Sequence, residues 1–296
     1  MNDSPQTYTY KRVGDCEVRA DVYPASARLS SPVLVWIHGG ALIMGWRRDL
    51  SDPQRRRYLD AGYTVVAVDY RLAPETKLPA IVEDLRDALC WVRGSGPSLF
   101  NADPTRIGVV GHSAGGYLAL VSGLCVEPRP QALVSFYGYG DIVGPWYSQP
   151  DPFYCQQPLV TRDEAYSVVG ARPISEDPGD GRGRFYLYCR QQGIWPQQVS
   201  GRDPAVDQDF FRAHCPVQSV DSGYPPTLLL HGDHDTDVPY ELSVMMGRSL
   251  AAAGVEHELI TIPGGGHGFD HLGDEAAEAA FGRVLAFLGR HLRPAA

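Results

Sequence analysis

The chain has 296 residues, with 26 Lys and Arg against 35 Asp and Glu and a formal net charge of −9. That length can bury an ordinary core, and 44% hydrophobic residues exclude a disordered chain. The acidic balance argues against a nucleic-acid partner, and the run Arg55-Arg56-Arg57 reads as a solvated helix face rather than a phosphate-binding patch.

The amino end, MNDSPQTYTYKRVG, has no charged patch followed by an apolar stretch, so it does not read as a secretory signal. Two antiparallel strands are expected next, over 7–13 and 16–22, the second alternating inward and outward. Val33-Leu34-Val35-Trp36-Ile37 is a nearly continuous apolar run, which suits a central strand covered on both faces, and 63–69 has the same character. Residues 79–93 predict a helix with Ile81, Val82, Leu85, Ala88, Leu89 and Val92 on one face. A strand over 106–110 then leads into a buried helix from Ser113, and strands follow over 132–137, 227–230 and 256–262. Two late helices are expected over 240–253 and 274–291, with Gly254 where a terminating glycine belongs. Strands alternating with helices predict a mostly parallel sheet between helical layers.

The stretch between Gly140 and Tyr224 breaks this rhythm, and a segment of that length needs structure of its own. It predicts a mainly helical cap over 141–222, inserted in a single domain spanning 1–296. Its aromatics Trp146, Tyr147, Phe185, Tyr186 and Trp195 are candidates to line an acyl or alcohol pocket, though each taken singly suits the core of the insertion. No stretch approaches the about 18 consecutive apolar residues of a membrane span. The six cysteines are widely scattered, which predicts free thiols in a cytoplasmic protein.

Gly111-His112-Ser113-Ala114-Gly115 fits G-x-S-x-G, with a strand before it and a helix after it. A serine on so tight a turn exposes its hydroxyl as a nucleophile, and the small neighbours permit the turn. His112 points away from its neighbour on such a turn and reads as a support of the elbow. His38-Gly39-Gly40-Ala41 follows the central strand. The N–H groups of Gly40 and Ala41, with that of Ala114, are the expected donors to a developing oxyanion, while His38 and Gly39 shape the loop. His267 lies in the glycine-dense loop 264–269 and is the expected general base, with His271 turned to solvent or the last helix. The orienting carboxylate belongs on the loop after 227–230, where spacing alone leaves Asp233, Asp235 and Asp237 open. Asp237 is well placed to cap the helix that begins near Pro239. His231, Asp233, His234 and Asp235 are dense enough to suggest a cation, but a serine elbow needs no metal, and no cofactor motif is present.

Taken together, HGGA at 38–41, DYRLAPE at 69–75, GHSAGG at 111–116, HGDHDTDVP at 231–239 and GGGHGF at 264–269 resemble the α/β-hydrolases of the esterase and lipase type. The nearest branches are the hormone-sensitive-lipase-like carboxylesterases and the BD-FAE/prolyl-oligopeptidase-like esterases. The resemblance implies a mostly parallel eight-stranded sheet flanked by helices, a cap, and carboxylic-ester hydrolysis by the set Ser113, Asp235 and His267. Its spacing from the His-Gly pair selects Asp235. Ala41 replaces the usual third glycine, which narrows the site, and His112 stands where the hormone-sensitive branch commonly has Asp, which leans toward the second branch. The expected substrate is a small ester of a short-chain or aromatic acid. The competing readings are an arylformamidase or other small-molecule amide hydrolase, and a catalytically inactive hydrolase fold used for binding. No stable membrane anchoring is expected, and a homodimer through an edge strand or the last helix stays open.

Overall fold

The two apolar runs become neighbours in the middle of one sheet. The structure is a computed structural model, and it describes residues 4–26, 30–177 and 180–292. Eight strands form the sheet: β1 (Gln6–Val13), β2 (Cys16–Tyr23), β3 (Ser31–Ile37), β4 (Thr64–Val68), β5 (Ala102–His112), β6 (Ala132–Phe136), β7 (Thr227–Gly232) and β8 (His257–Ile262). Their spatial order is β1-β2-β4-β3-β5-β6-β7-β8. β1 pairs antiparallel with β2 and β2 with β4, and every later pairing is parallel. The α/β sandwich expected from the alternation of elements is therefore the observed one.

Strand alternation sends side chains to two cores. Val33, Val35 and Ile37 of β3 face one side, while Leu34 and Trp36 face the other. The first core is closed by α2 (Leu78–Phe100), α3 (Ala114–Cys125) and α10 (Glu241–Ala252), and the second by α1 (Asp52–Asp60) and α11 (Glu275–His291). The last helix shows why such segments fold locally. The Asp274 side chain accepts a hydrogen bond from the N–H of Ala277 at its start, Glu275 and Glu278 sit in the first turn, and Arg290 and His291 in the last. Its face of Phe281, Val284, Phe287 and Leu288 is buried.

Two details depart from expectation. α2 continues past Arg93 and through Pro97, although an interior proline removes a ladder hydrogen bond. Phe100 holds the extra turns by packing on Trp91 and Tyr8, and Asn101, at φ 55°, ends the helix. Nor is the arginine run on α1 a solvated face. Arg55 is buried, paired with Asp52 at 2.6 Å and seated 4.7 Å over the Tyr23 ring, and Arg57 covers Phe281. All six cysteines are free.

Helices α4 (Pro145–Ser148), α5 (Arg162–Tyr166), α6 (Gly183–Gln192), α7 (Trp195–Ser200), α8 (Gln208–His214) and α9 (Pro216–Ser219) all fall between β6 and β7 and form the inserted cap. Tyr147 and Trp195 stack at 4.0 Å in its interior, with Phe185 also buried there. No helix among the described residues is long and apolar enough to cross a membrane.

Candidate active site

Parallel strands end at one edge of the sheet, and loops beyond carboxyl ends are where such folds place ligands. β5 ends at His112 and α3 starts at Ala114, which leaves Ser113 alone in the turn at φ 54°, ψ −119°. Its N–H donates to the Phe136 carbonyl at 2.9 Å, which ties the turn to the end of β6. Gly115 admits the close approach of helix to strand, because a Cβ there would lie 2.1 Å from the Ile37 carbonyl oxygen. A serine held at positive φ is costly and persists only where the surroundings impose it.

The loop after β3 is held as tightly. Gly40 takes φ +95°, and a Cβ on it would strike the Met44 carbonyl at 2.1 Å. Ala41 and Leu42 also take positive φ. The Tyr70 hydroxyl donates to the carbonyls of His38 and Gly39, and Trp195 Nε1 reaches from the cap to the Ala41 carbonyl at 2.9 Å. No partner among the described residues takes up the N–H of Gly40, Ala41 or Ala114. Beneath the loop, buried Arg47 joins Asp21, Asp69 and Glu176, and burial pushes the Asp69 carboxyl up to about 7 against the pull of Arg47.

His38 is fully buried and stacked on Tyr70 at 4.2 Å, with Nδ1 donating to the Gly39 carbonyl at 2.8 Å and Nε2 without a partner among the described residues. Burial lowers its pKa to about 4. A histidine depressed on folding stabilises the native state above its unfolded pKa, and that contribution is lost as pH falls toward the folded value. Urea unfolding should therefore show His38 withdrawing roughly 3 kcal/mol between about pH 6.5 and 4. The variant His38→Asn should decline less steeply over that window, and equal slopes would contradict the assignment.

The loop after β7 carries Asp235, whose side chain is fully buried. Its Oδ1 accepts from the N–H groups of Asp237 and Val238 at 2.8 and 2.9 Å. Its Oδ2 accepts from His267 Nδ1 at 2.8 Å and lies 3.2 Å from His231 Nε2. Burial opposes its charge, but hydrogen bonds from His231, His267 and Val238 outweigh it and hold the carboxyl well below the usual carboxylate range. His267 is a quarter exposed. Burial opposes protonation of its ring as well, yet the Asp235 bond and the charges of Asp237, Asp235 and Asp270 raise its pKa above the ordinary value. The ring edge bearing Nε2 is turned toward Asp237 Oδ2 at 3.4 Å, and Nε2 shares no hydrogen bond with Ser113 among the described residues.

Ser113, His267, Gly40 and Ala41 line one cavity of about 390 Å³. Its further walls are Trp36, Met44, Tyr137 and Tyr186, with Asp49, Gln54, His112 and Asp237 as polar groups. Of the five cap aromatics singled out in the sequence, only Tyr186 lines it. Tyr147, Phe185 and Trp195 are buried in the cap core, and Trp146 stacks on Tyr147 at 3.5 Å. The guanidinium of Arg190 lies 5.0 Å from the Tyr147 ring and 5.5 Å from Trp146.

One further expectation is corrected. Asp237 caps no helix: α10 starts after Tyr240 with no side-chain cap, and Asp237 Oδ1 instead accepts from Tyr154, Tyr186 and Arg190. His271 is half-exposed, in keeping with a solvent-facing residue, and it also lines the cavity. His112 does support the elbow. Its Nδ1 accepts from Trp36 Nε1 at 3.1 Å, so Nε2 carries the proton of the neutral ring and faces Asp270 Oδ2 at 3.3 Å. Asp270 also accepts from Gln54 and from the Tyr137 hydroxyl.

A family model described as the alpha/beta hydrolase fold matches residues 34–271, and the chain belongs to that family. Among solved structures, an esterase of Pyrobaculum calidifontis is 25% identical at a TM-score of 0.69, covering 94% of this chain and 82% of its own. A thermostable carboxylesterase cloned from a metagenomic library is 25% identical at a TM-score of 0.70, covering 95% of this chain and 87% of its own. A protein of unknown function from Staphylococcus aureus, 23% identical, reaches a TM-score of 0.78 over 97% of this chain and all of its own. Among curated relatives, a non-reducing polyketide synthase of Penicillium rubens is 30% identical over 99% of this chain, which spans only 14% of the synthase.

Proposed function

We propose that the chain is a serine hydrolase that cleaves carboxylic esters of short-chain or aromatic acids through an acyl-enzyme. The observation that carries the reading is the 2.8 Å bond from His267 Nδ1 to a buried, ionised Asp235, on a cavity shared with Ser113. That bond fixes the tautomer whose Nε2 can take a proton.

In this reading Nε2 turns to Ser113, a movement consistent with catalytic hydrogen bonds being long before substrate is bound. Ser113 Oγ attacks the acyl carbon and passes its proton to Nε2, while the N–H groups of Gly40, Ala41 and Ala114 receive the carbonyl oxygen as it gains charge. Nε2 then protonates the departing alkoxide. Water attacks the acyl-enzyme along the reverse proton path, which releases the acid and restores Ser113.

The preference for short or aromatic acyl groups rests on the cavity. Its volume, about 390 Å³, lies low in the usual range for ligand pockets, and the carboxylates of Asp49 and Asp237 interrupt its aromatic walls. A p-nitrophenyl ester series from acetyl to palmitoyl, run below the micelle limit, should show kcat/KM falling beyond roughly eight acyl carbons. A value still rising at about twelve carbons would contradict the short pocket. N-formylkynurenine belongs in the same panel, since its fast turnover beside slow esters would favour amide hydrolysis.

A further inference from the structure

Asp237 is a carboxylate of the 231–239 motif that lines the cavity yet neither bonds the ring nitrogen Nδ1 nor caps a helix. Its Oδ1 is held by three donors from the cap: the Tyr154 hydroxyl at 2.7 Å, the Tyr186 hydroxyl at 2.6 Å and Arg190 Nη1 at 2.8 Å. Arg190 is 1% exposed and is itself fixed, with Nη2 on Asp151 at 2.6 Å and Nη1 also on the Asp237 carbonyl at 3.1 Å. With Oδ1 pinned, the carboxylate cannot swing. Its Oδ2 takes no hydrogen bond among the described residues and faces the cavity, 3.4 Å from His267 Nε2.

We propose that Asp237 is a positioning residue, a second carboxylate locked by the cap that holds the Nε2 edge of His267 and favours the ring whenever that nitrogen carries a proton. This rests on reading His267 as the general base. A neutral ring with Nδ1–H on Asp235 presents a lone pair to Asp237 Oδ2, which repels it, whereas the imidazolium presents an N–H. The imidazolium is also the form that arises when Ser113 gives up its proton; Nε2 is then turned to Ser113, and the same carboxylate assists that step through its charge. The other groups acting on the ring are Asp235 at Nδ1, Tyr137 with its ring centre 4.6 Å away, and the charge of Asp270 from the following turn. Ser113 and His112 of the elbow, Asp49, His271, and Tyr186 of the cap line the same cavity. The cap thereby grips the site at two points, through Trp195 on the Ala41 carbonyl and through Asp237 on the histidine.

The test follows the His267 imidazole by NMR titration in the full chain, with its signal assigned by loss in His267→Gln. This readout needs no substrate. In Asp237→Asn the midpoint should fall below the wild-type value, whereas Asp233→Asn, which alters an exposed carboxylate of the same loop, should not move it. In Tyr186→Phe the midpoint should rise, because one donor fewer draws charge from the Asp237 carboxylate. With an ester substrate, the acid limb of kcat/KM in Asp237→Asn should move to lower pH and plateau kcat should drop about tenfold with KM little changed. An unmoved midpoint in Asp237→Asn, or in Tyr186→Phe should the first variant fail to fold, overturns the proposal. Failure of the esterase reading looks different: Ser113→Ala would then retain the wild-type turnover, whatever the midpoints do.

Discussion

Asp235→Asn should lower kcat by about 10⁴, the scale of loss when the orienting carboxylate of a serine–histidine–aspartate set becomes an amide. The carboxylate accepts the Nδ1 proton with one oxygen and two loop N–H groups with the other. An asparagine can keep the loop contacts, but where its NH₂ faces the ring it stabilises the wrong tautomer. Asp233→Asn, whose carboxylate only receives the Gly264 N–H from an exposed position, should stay within a few-fold of wild type. Circular dichroism on each variant separates chemistry from unfolding. A larger loss in Asp233→Asn would contradict the placement of the acid.

Ser113→Ala should lose about 10⁶ in kcat, the loss seen when a serine nucleophile is deleted from such a site. The fold should survive, since the elbow is held by the Ser113 N–H on Phe136 and by the glycine approach at Gly115 rather than by the hydroxyl. Substrate binding should persist in the variant, measurable as competitive protection of a fluorescent ligand, because the cavity walls are unchanged. Turnover near wild type would remove Ser113 from the chemistry.

What the sequence disclosed was local. The elbow at 111–115 and the loop at 38–41 are each written in five or fewer consecutive residues, since a close approach or a positive φ restricts the residue types at the very position where it occurs. The strands read well for the same reason: continuous apolar runs such as 33–37 suit only a position covered on both faces. The helical cap was legible, but its pocket walls were not. Trp146, Tyr147, Phe185 and Trp195 are each compatible with a pocket wall by sequence, yet they pack in the cap core, the first two beside Arg190, and a buried guanidinium on α6 leaves no local signature. Asp237 carried a sound helix-capping signal, overridden by partners 83, 51 and 47 residues away in the chain. Arg55 reads as solvent-facing because its neighbours are charged, yet the Tyr23 ring that covers it lies on another element. Contacts between distant segments, not propensities, decided each of these.

The reaction of the protein with a p-nitrophenyl alkylphosphonate, followed by intact mass and peptide mapping, tests the central claim most directly. One equivalent should add, wholly on Ser113, and the labelling rate should fall as His267 becomes protonated. An adduct on another residue, or equal labelling of Ser113→Ala, would contradict the assignment of Ser113 as the nucleophile.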